Sequence, residues 1–270
     1  MRRRSPAAVV FRGLVIRVLP LAAALLLVLT LPRLAAADPE SVTFTAWVNG
    51  REESRRALIC RPPGDGPFPV VVFNHGSIVD GWGWPGASGR GYRLDRVCEA
   101  LARDGMLVFA PIREPAPRGR GFQAYEPAYR EIVTSAVDHA KRLPGVDPAR
   151  VALAGFSMGG LVSFQVSTDR DDLRAVVLLA PAAGRGVLHA SLPRARHVTA
   201  PVLVLVEATD VPPIRQGVDD LARALGEAGR AVTVVRYDRG GGHELFYDLG
   251  YWWDDARGFL RGRLGIEGAR

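Results

Sequence analysis

The chain has 270 residues, of which 48% are hydrophobic and 23% are charged, and its formal net charge is +7. The first 37 residues contain six arginines and no acidic residue, so the formal charge of residues 38–270 is only +1. This balance argues against nucleic acid as a partner, because proteins that bind it usually present a basic surface. The length of residues 38–270 is typical of one large α/β domain with a substantial core.

The N-terminal segment has the pattern of a signal peptide over residues 1–37. Arginines precede an almost wholly apolar run over residues 18–31, and Ala35, Ala36 and Ala37 supply the small residues that a signal peptidase recognises. We therefore predict cleavage before Asp38 and export to the periplasm or the extracellular space, with membrane contact only through this leader during export. The apolar run is shorter than the ~20 residues of a spanning helix. The long basic region nevertheless leaves an uncleaved membrane anchor as the alternative.

Strands and helices alternate along the rest of the chain. Residues 44–48 and 55–59 alternate in polarity and predict an opening antiparallel pair. Short apolar runs, typical of strands covered on both faces, predict strands over residues 70–73, 107–110, 151–154, 175–180, 202–206 and 232–237. Apolar residues near helical spacing predict helices over residues 94–103, 129–143, 161–166, 218–225 and 252–264. The alternation predicts a mostly parallel eight-stranded sheet with helices on both faces, in one domain over residues 38–270.

Two long stretches, residues 74–91 and 111–126, are predicted to be irregular loops. Both follow the carboxyl ends of predicted strands, where ligands of parallel sheets bind. The connection over residues 180–201 is short, which leaves no room for a large lid.

The sequence Gly155-Phe156-Ser157-Met158-Gly159 matches the pattern G-x-S-x-G between a predicted strand and a predicted helix. A sharp turn between strand and helix is the context of a nucleophile elbow, in which the serine hydroxyl projects from the edge of the sheet. Small residues must flank the serine because the two backbones approach closely. We therefore predict that Ser157 is a catalytic nucleophile rather than part of a structural turn.

A serine hydroxyl needs a base within hydrogen-bonding distance, and the base needs an acid to orient it. Among five histidines, His243 follows the last predicted strand in a glycine-rich loop, which makes it the candidate base. Asp210 is the candidate acid because it lies in the turn after the strand over residues 202–206, and Glu207 is its rival. The order Ser157, Asp210, His243 is the one expected of an α/β-hydrolase triad.

Ester cleavage also requires N–H donors for the oxyanion that forms on the substrate carbonyl. The backbone N–H of Met158, directly after the nucleophile, is the first candidate. The second is expected in the turn Asn74-His75-Gly76-Ser77, where we favour the N–H of Ser77 over that of Gly76. His75 is then expected to orient this turn and to lie at the substrate site, rather than to act as a second base.

These residues make the chain resemble the α/β-hydrolase superfamily over about residues 42–264. The resemblance rests on the turn at residues 74–77, the segment 145–160 that contains the elbow, Asp210 and Gly242-His243. The chain is most similar to the small branch without a lid that includes dienelactone hydrolase-like proteins and esterases related to the catalytic domain of prolyl oligopeptidase. The resemblance implies a serine esterase without a cofactor or a metal. Dienelactone hydrolases use a cysteine nucleophile, so the serine at position 157 favours ordinary esters.

Three aromatic residues follow the turn at residues 74–77, which we call the oxyanion turn. They are candidates to line a substrate pocket: Trp82, Trp84 and Tyr92. Packing within a long loop is the alternative for all three. Arg113 and the arginines at positions 118 and 120 could attract a substrate carboxylate, although a solvated basic loop is the favoured interpretation.

Cys60 and Cys98 are the two cysteines of the chain. They form either one disulfide, which an oxidising exported compartment permits, or two separate buried thiols. Sequence alone leaves both alternatives open, because it does not show whether the two Cα atoms approach to ~6 Å.

The favoured function is an exported serine hydrolase that cleaves carboxylic esters, expected to be short-chain, through an acyl-enzyme. Its expected partner is a small-molecule ester. An acyltransferase that uses the same triad is the alternative among enzymes. A non-catalytic binding protein on the same fold is less favoured, because binding alone requires no serine, histidine and aspartate in this order.

Overall fold

The computed structural model describes residues 38–113 and 125–266. The predicted leader over residues 1–37 and the arginines at positions 118 and 120 lie outside the described residues. The described residues belong to one structural unit. No helix among them is long and apolar enough to cross a membrane.

An eight-stranded sheet forms the centre of the domain. Its strands are β1 (Glu40–Val48), β2 (Arg51–Cys60), β3 (Phe68–Asn74), β4 (Leu107–Ile112), β5 (Val146–Phe156), β6 (Ala175–Leu179), β7 (Val202–Glu207) and β8 (Val232–Tyr237). They lie in the order β1-β2-β4-β3-β5-β6-β7-β8. The pairs β1–β2 and β2–β4 are antiparallel, and the other pairs of this sheet are parallel. The predicted eight-stranded, mostly parallel sheet and its opening antiparallel pair are confirmed.

Helices cover this sheet. They are α1 (Ser77–Ser88), α2 (Leu94–Arg103), α3 (Glu126–Ala140), α4 (Met158–Ser167), α5 (Val187–Ser191), α6 (Pro212–Glu227) and α7 (Trp253–Arg263). Every residue of β4, β6 and β7 is buried, which explains why these strands have continuous apolar sequences. β8 lies at the edge of the sheet, and most of its residues are half-buried or exposed.

The helix α1 corrects the prediction of an irregular loop over residues 74–91. Gly83 interrupts this helix with a φ of 68°, and Pro85 lies within it. A left-handed glycine and a proline both break a continuous helical pattern, so apolar spacing carries no helix signal here. Ser77 is therefore the first residue of a helix instead of part of a loop, so its N–H is one of the helix's N-terminal donors.

Cys60 in β2 and Cys98 in α2 form a disulfide, with their Cα atoms 5.7 Å apart. Of the two alternatives that the sequence leaves open, the structure therefore has the disulfide. Both cysteines are fully buried, and the bond ties α2 to the sheet. Just before α2, the backbone N–H of Arg93 donates to the carbonyl of Tyr247 (2.6 Å), so the same region is joined to the wall of the cavity described below.

Candidate active site

Ser157 occupies the turn between β5 and α4. Its φ of 52° and ψ of −114° lie in a region that residues with a side chain rarely adopt. Such a conformation costs about 1–3 kcal/mol and persists only where the surroundings impose it. Here the N–H of Ser157 donates to the carbonyl of Leu179 (2.8 Å), and its carbonyl accepts from the N–H of Ala182 (2.9 Å). Both partners belong to β6 or its exit, so the neighbouring strand holds the serine in this geometry.

The glycines beside Ser157 are required by contact. A Cβ on Gly159 would lie 2.1 Å from the carbonyl oxygen of Asn74, and one on Gly155 would lie 2.3 Å from the carbonyl oxygen of Gly159. No side chain fits at these distances, because both contacts are with backbone. The turn that follows β3 therefore lies directly against the elbow.

His243 connects Ser157 to Asp210 through two hydrogen bonds. Its Nε2 lies 2.9 Å from Ser157 Oγ, and its Nδ1 lies 2.9 Å from Asp210 Oδ2. With a carboxylate acceptor at Nδ1, the neutral imidazole carries its proton there, and Nε2 is free to accept the serine proton. The Asp210 side chain is fully buried, whereas a quarter of the His243 side chain is exposed. The structure thus brings together the three residues that the sequence indicates as a nucleophile, a base and an acid.

Glu207, the rival acid, lies at the end of β7 and makes different contacts. Its Oε1 accepts from the N–H groups of Arg239 and Gly240, each at 2.8 Å, and its Oε2 accepts from the Tyr251 hydroxyl at 2.7 Å. These bonds anchor the loop that leads to His243. Asp210, rather than Glu207, is therefore the carboxylate that contacts the imidazole.

The environment of Glu207 keeps its carboxylate ionised. Burial opposes the charge, but the hydrogen bonds from the Tyr251 hydroxyl and the loop N–H groups outweigh it, and the pKa of Glu207 is lowered. Burial and the bond to this carboxylate raise the pKa of Tyr251 to about 12. The pair therefore keeps a carboxylate acceptor and a hydroxyl donor across the neutral pH range.

Two helices begin beside Ser157, and their first N–H groups are the candidate donors for an oxyanion. Met158 begins α4 and Ser77 begins α1, and the first N–H groups of a helix have no acceptor within it. The N–H of Gly76 donates to the Tyr92 hydroxyl (3.3 Å), so it already has a partner. A Cβ on Gly76 would lie 3.5 Å from Ser157 Cβ, which places this turn next to the nucleophile. These contacts favour the N–H of Ser77 over that of Gly76 as the second donor.

A cavity of about 520 Å³ opens beside Ser157. It is lined by Ser77, Ile78, Trp82, Arg90, Phe156, Ser157, His243, Glu244 and Tyr247. The sequence does not predict that Ile78, Arg90, Glu244 and Tyr247 line this cavity. Glu244 and Tyr247 could have been found from their closeness to His243 in the chain, whereas Ile78 in α1 and Arg90 just after it lie in the stretch predicted to be an irregular loop.

The structure divides the predicted substrate-binding residues. Trp82 lines the cavity, is 60% exposed, and carries the Arg90 guanidinium 3.5 Å from its ring centre. Trp84 does not line this cavity but packs, half-buried, against the core. His75 and Tyr92 are buried behind the turn, so the prediction that they contact substrate is wrong. Trp84 belongs to α1, which packs against the core, and Tyr92 packs against the rings of Phe156 and Tyr247.

His75 and Arg113 contact each other in the interior. The N–H of Arg113 donates to His75 Nε2 at 2.9 Å, and both residues are fully buried. Burial and the Arg113 charge hold the pKa of His75 well below its usual value, so this imidazole is neutral. Arg113 is neither solvated nor available to a substrate, which corrects both interpretations of this residue from sequence.

The comparisons with known proteins agree with this architecture. A thermostable esterase from Pseudomonas putida is 21% identical, with a TM-score of 0.61 over 85% of this chain and 81% of its own. An esterase from Rhizomucor miehei is 22% identical, with a TM-score of 0.66 over 85% of this chain and 84% of its own. The acylaminoacyl peptidase of Pyrococcus horikoshii is 17% identical, with a TM-score of 0.61 over 85% of this chain and 40% of its own. At these identities the similarity shows a shared fold.

A search among curated proteins finds no match. The model of the dienelactone hydrolase family, in contrast, matches residues 56–249, which include the elbow, Asp210 and His243. The match covers most of the chain and all of the contacts described around Ser157. The chain therefore belongs to the dienelactone hydrolase family and is a hydrolase of the ester-cleaving type.

Proposed function

We propose that the protein is an exported serine hydrolase that cleaves carboxylic esters through an acyl-enzyme. The observation that carries the proposal is the hydrogen-bonded chain from Ser157 through His243 to Asp210, with both distances at 2.9 Å. A family match alone would not identify the nucleophile. A serine within reach of an oriented imidazole is the arrangement that makes a hydroxyl nucleophilic at neutral pH.

In the proposed acylation step, Ser157 Oγ forms a bond to the ester carbonyl carbon while its proton passes to His243 Nε2. The carbonyl electron pair moves to oxygen, and the N–H groups of Ser77 and Met158 bind the resulting oxyanion. Collapse of this intermediate breaks the bond between carbon and the alcohol oxygen. The departing oxygen takes the proton from His243, and Asp210 stabilises the imidazolium between the two transfers.

Deacylation follows the same path with water as the nucleophile. The water oxygen forms a bond to the acyl carbon while its proton passes to His243 Nε2, and the carbonyl electron pair moves to oxygen to give a second oxyanion. Collapse of this intermediate breaks the bond from carbon to Ser157 Oγ, which takes the proton from His243. A quarter of the His243 side chain is exposed, which supports access of water to this base. That exposure favours hydrolysis over transfer of the acyl group to another alcohol.

Export is the second part of the proposal. The leader pattern over residues 1–37 supports it, and so does the disulfide between Cys60 and Cys98. Disulfides persist in oxidising compartments outside the cytoplasm.

The roles of the two carboxylates can be separated by matched substitutions. Asp210→Asn should lower kcat on a nitrophenyl ester by ~10³-fold or more, because the amide no longer accepts from Nδ1 and selects the wrong tautomer. Glu207→Gln should lower kcat by less than about tenfold, because the amide oxygen can still accept from the loop N–H groups. His243→Ala should lower kcat at least as much as Asp210→Asn. If Glu207→Gln is the damaging change and Asp210→Asn is mild, the acid is Glu207.

Substrate size can be tested with nitrophenyl esters from acetate to palmitate. The cavity has a volume of about 520 Å³ and is lined in part by the charged residues Arg90 and Glu244. We therefore expect a long acyl chain to find little further apolar surface, so each added CH₂ should gain less than the ~0.8 kcal/mol of full burial. We expect kcat/KM, measured below micelle-forming concentrations, to be highest for acetate or butyrate. A steady rise from butyrate to palmitate would contradict the short-chain assignment.

The export proposal predicts the N-terminus of the mature protein. The full-length chain produced in a bacterial host should be recovered outside the cytoplasm with Asp38 at or near its N-terminus. N-terminal sequencing of the membrane and soluble fractions tests this. An intact leader found in the membrane fraction would instead identify residues 1–37 as an anchor.

A further inference from the structure

A buried ion pair lies beside the turn that carries the oxyanion donor. The guanidinium of Arg113, which follows β4, donates from Nε to Asp80 Oδ1 and from Nη2 to Asp80 Oδ2, each at 3.1 Å. The Arg113 side chain is fully buried and that of Asp80 is 8% exposed. Asp80 belongs to the first turn of α1, the helix that Ser77 begins.

The same arginine also holds the residue on the other side of Ser77. Arg113 Nη2 donates to the carbonyl oxygen of His75. The N–H of Arg113 donates to His75 Nε2 at 2.9 Å, so the imidazole proton lies on Nδ1, which is 3.0 Å from the carbonyl oxygen of Gly76. Arg113 therefore binds the chain at positions 75 and 80, and the N–H of Ser77 lies between these two points.

Stability alone is a weak reason for such an arrangement. Removing two charges from water costs several kcal/mol per ion, and a well-packed apolar pair of similar volume is often as stable. Arg113 Nη1 is also buried without a hydrogen-bond partner among the described residues, which adds to the cost. A guanidinium donates several directed hydrogen bonds from one rigid group, whereas an apolar side chain donates none.

We propose that Arg113 and Asp80 are positioning residues that fix the N–H of Ser77 for oxyanion binding. This inference rests on the proposed function, because it assigns no chemistry of its own to the pair. An oxyanion donor is effective only when it lies about 2.7–3.1 Å from the developing charge. A misplacement of about 1 Å in such a site can reduce the rate by ~10²-fold. Loss of the hydrogen bonds from Arg113 to Asp80 and His75 should therefore weaken binding of the transition state while binding of the substrate is retained.

The test compares Asp80→Asn and Arg113→Lys with a matched control, Asp172→Asn. Asp80→Asn keeps the shape of the side chain but removes its charge. Arg113→Lys keeps the charge but loses the planar guanidinium that reaches Asp80 and His75 together.

The control residue Asp172 pairs with Lys141 and Arg170 before β6. It lies at the end of the sheet opposite Ser157, so Asp172→Asn disturbs an ion pair without touching the site.

Three quantities are measured for each folded variant, at a temperature well below its Tm. They are kcat and KM for nitrophenyl butyrate, and the inhibition constant of a trifluoromethyl ketone, which adds to the serine and forms an oxyanion. For Asp80→Asn and Arg113→Lys we expect kcat to fall by ~10- to 100-fold. KM should change by less than about threefold, and ketone binding should weaken in parallel with kcat. Asp172→Asn should leave all three within about twofold of the wild type.

The outcomes separate this inference from the function on which it rests. A wild-type protein without Ser157-dependent ester hydrolysis would overturn the proposed function, and this inference with it. An active wild type in which both variants keep kcat and ketone affinity within twofold, whatever their Tm, would overturn the positioning role alone. A rise in KM at unchanged kcat would do the same. If Asp80→Asn does not fold, Arg113→Lys decides the question, because it retains the buried charge pair.

Discussion

The hydrogen bond between His243 Nε2 and Ser157 Oγ is the interaction on which the rest of the site depends. It joins two residues that are 86 positions apart, one on a strained turn and one in a glycine-rich loop. Neither backbone would hold its side chain in place alone. The neighbouring strand β6 holds the turn through Leu179 and Ala182, and Glu207 holds the loop through the N–H groups of Arg239 and Gly240. The 2.9 Å contact is the result of these two supports.

Three buried carboxylates hold different parts of the structure around this hydrogen bond. Asp210 orients the imidazole, Glu207 anchors the loop that carries it, and Asp80 pairs with Arg113 beside the oxyanion turn. Each of them has specific donors, as a buried carboxylate requires. The cavity side chains Trp82 and Arg90, in contrast, are exposed and contact each other. The site therefore combines a buried, hydrogen-bonded part around Ser157 with an exposed cavity wall.

The sequence predicts the sheet and the triad but not the supports around them. Buried parallel strands have continuous apolar sequences, and the chain order of nucleophile, acid and base is specific to this fold. The helix α1 escapes prediction because Gly83 and Pro85 interrupt it. The burial of Arg113 is not predicted because its partner Asp80 is 33 positions away in the chain, and a lone arginine after a strand is usually solvated. The role of Glu207 depends on the backbone N–H groups of Arg239 and Gly240, which follow β8. The residue types near Glu207 in the chain do not indicate these distant donors.

Covalent labelling of Ser157 tests the central claim most directly. Residues 38–270 would be treated with a fluorophosphonate, digested and examined by mass spectrometry, with Ser157→Ala and heat-unfolded wild type as controls. The account predicts a single adduct on Ser157 of the folded wild type and none in either control, because only the folded site places His243 next to the hydroxyl. An adduct on another residue, or none in folded protein, would contradict the assignment of Ser157 as the nucleophile.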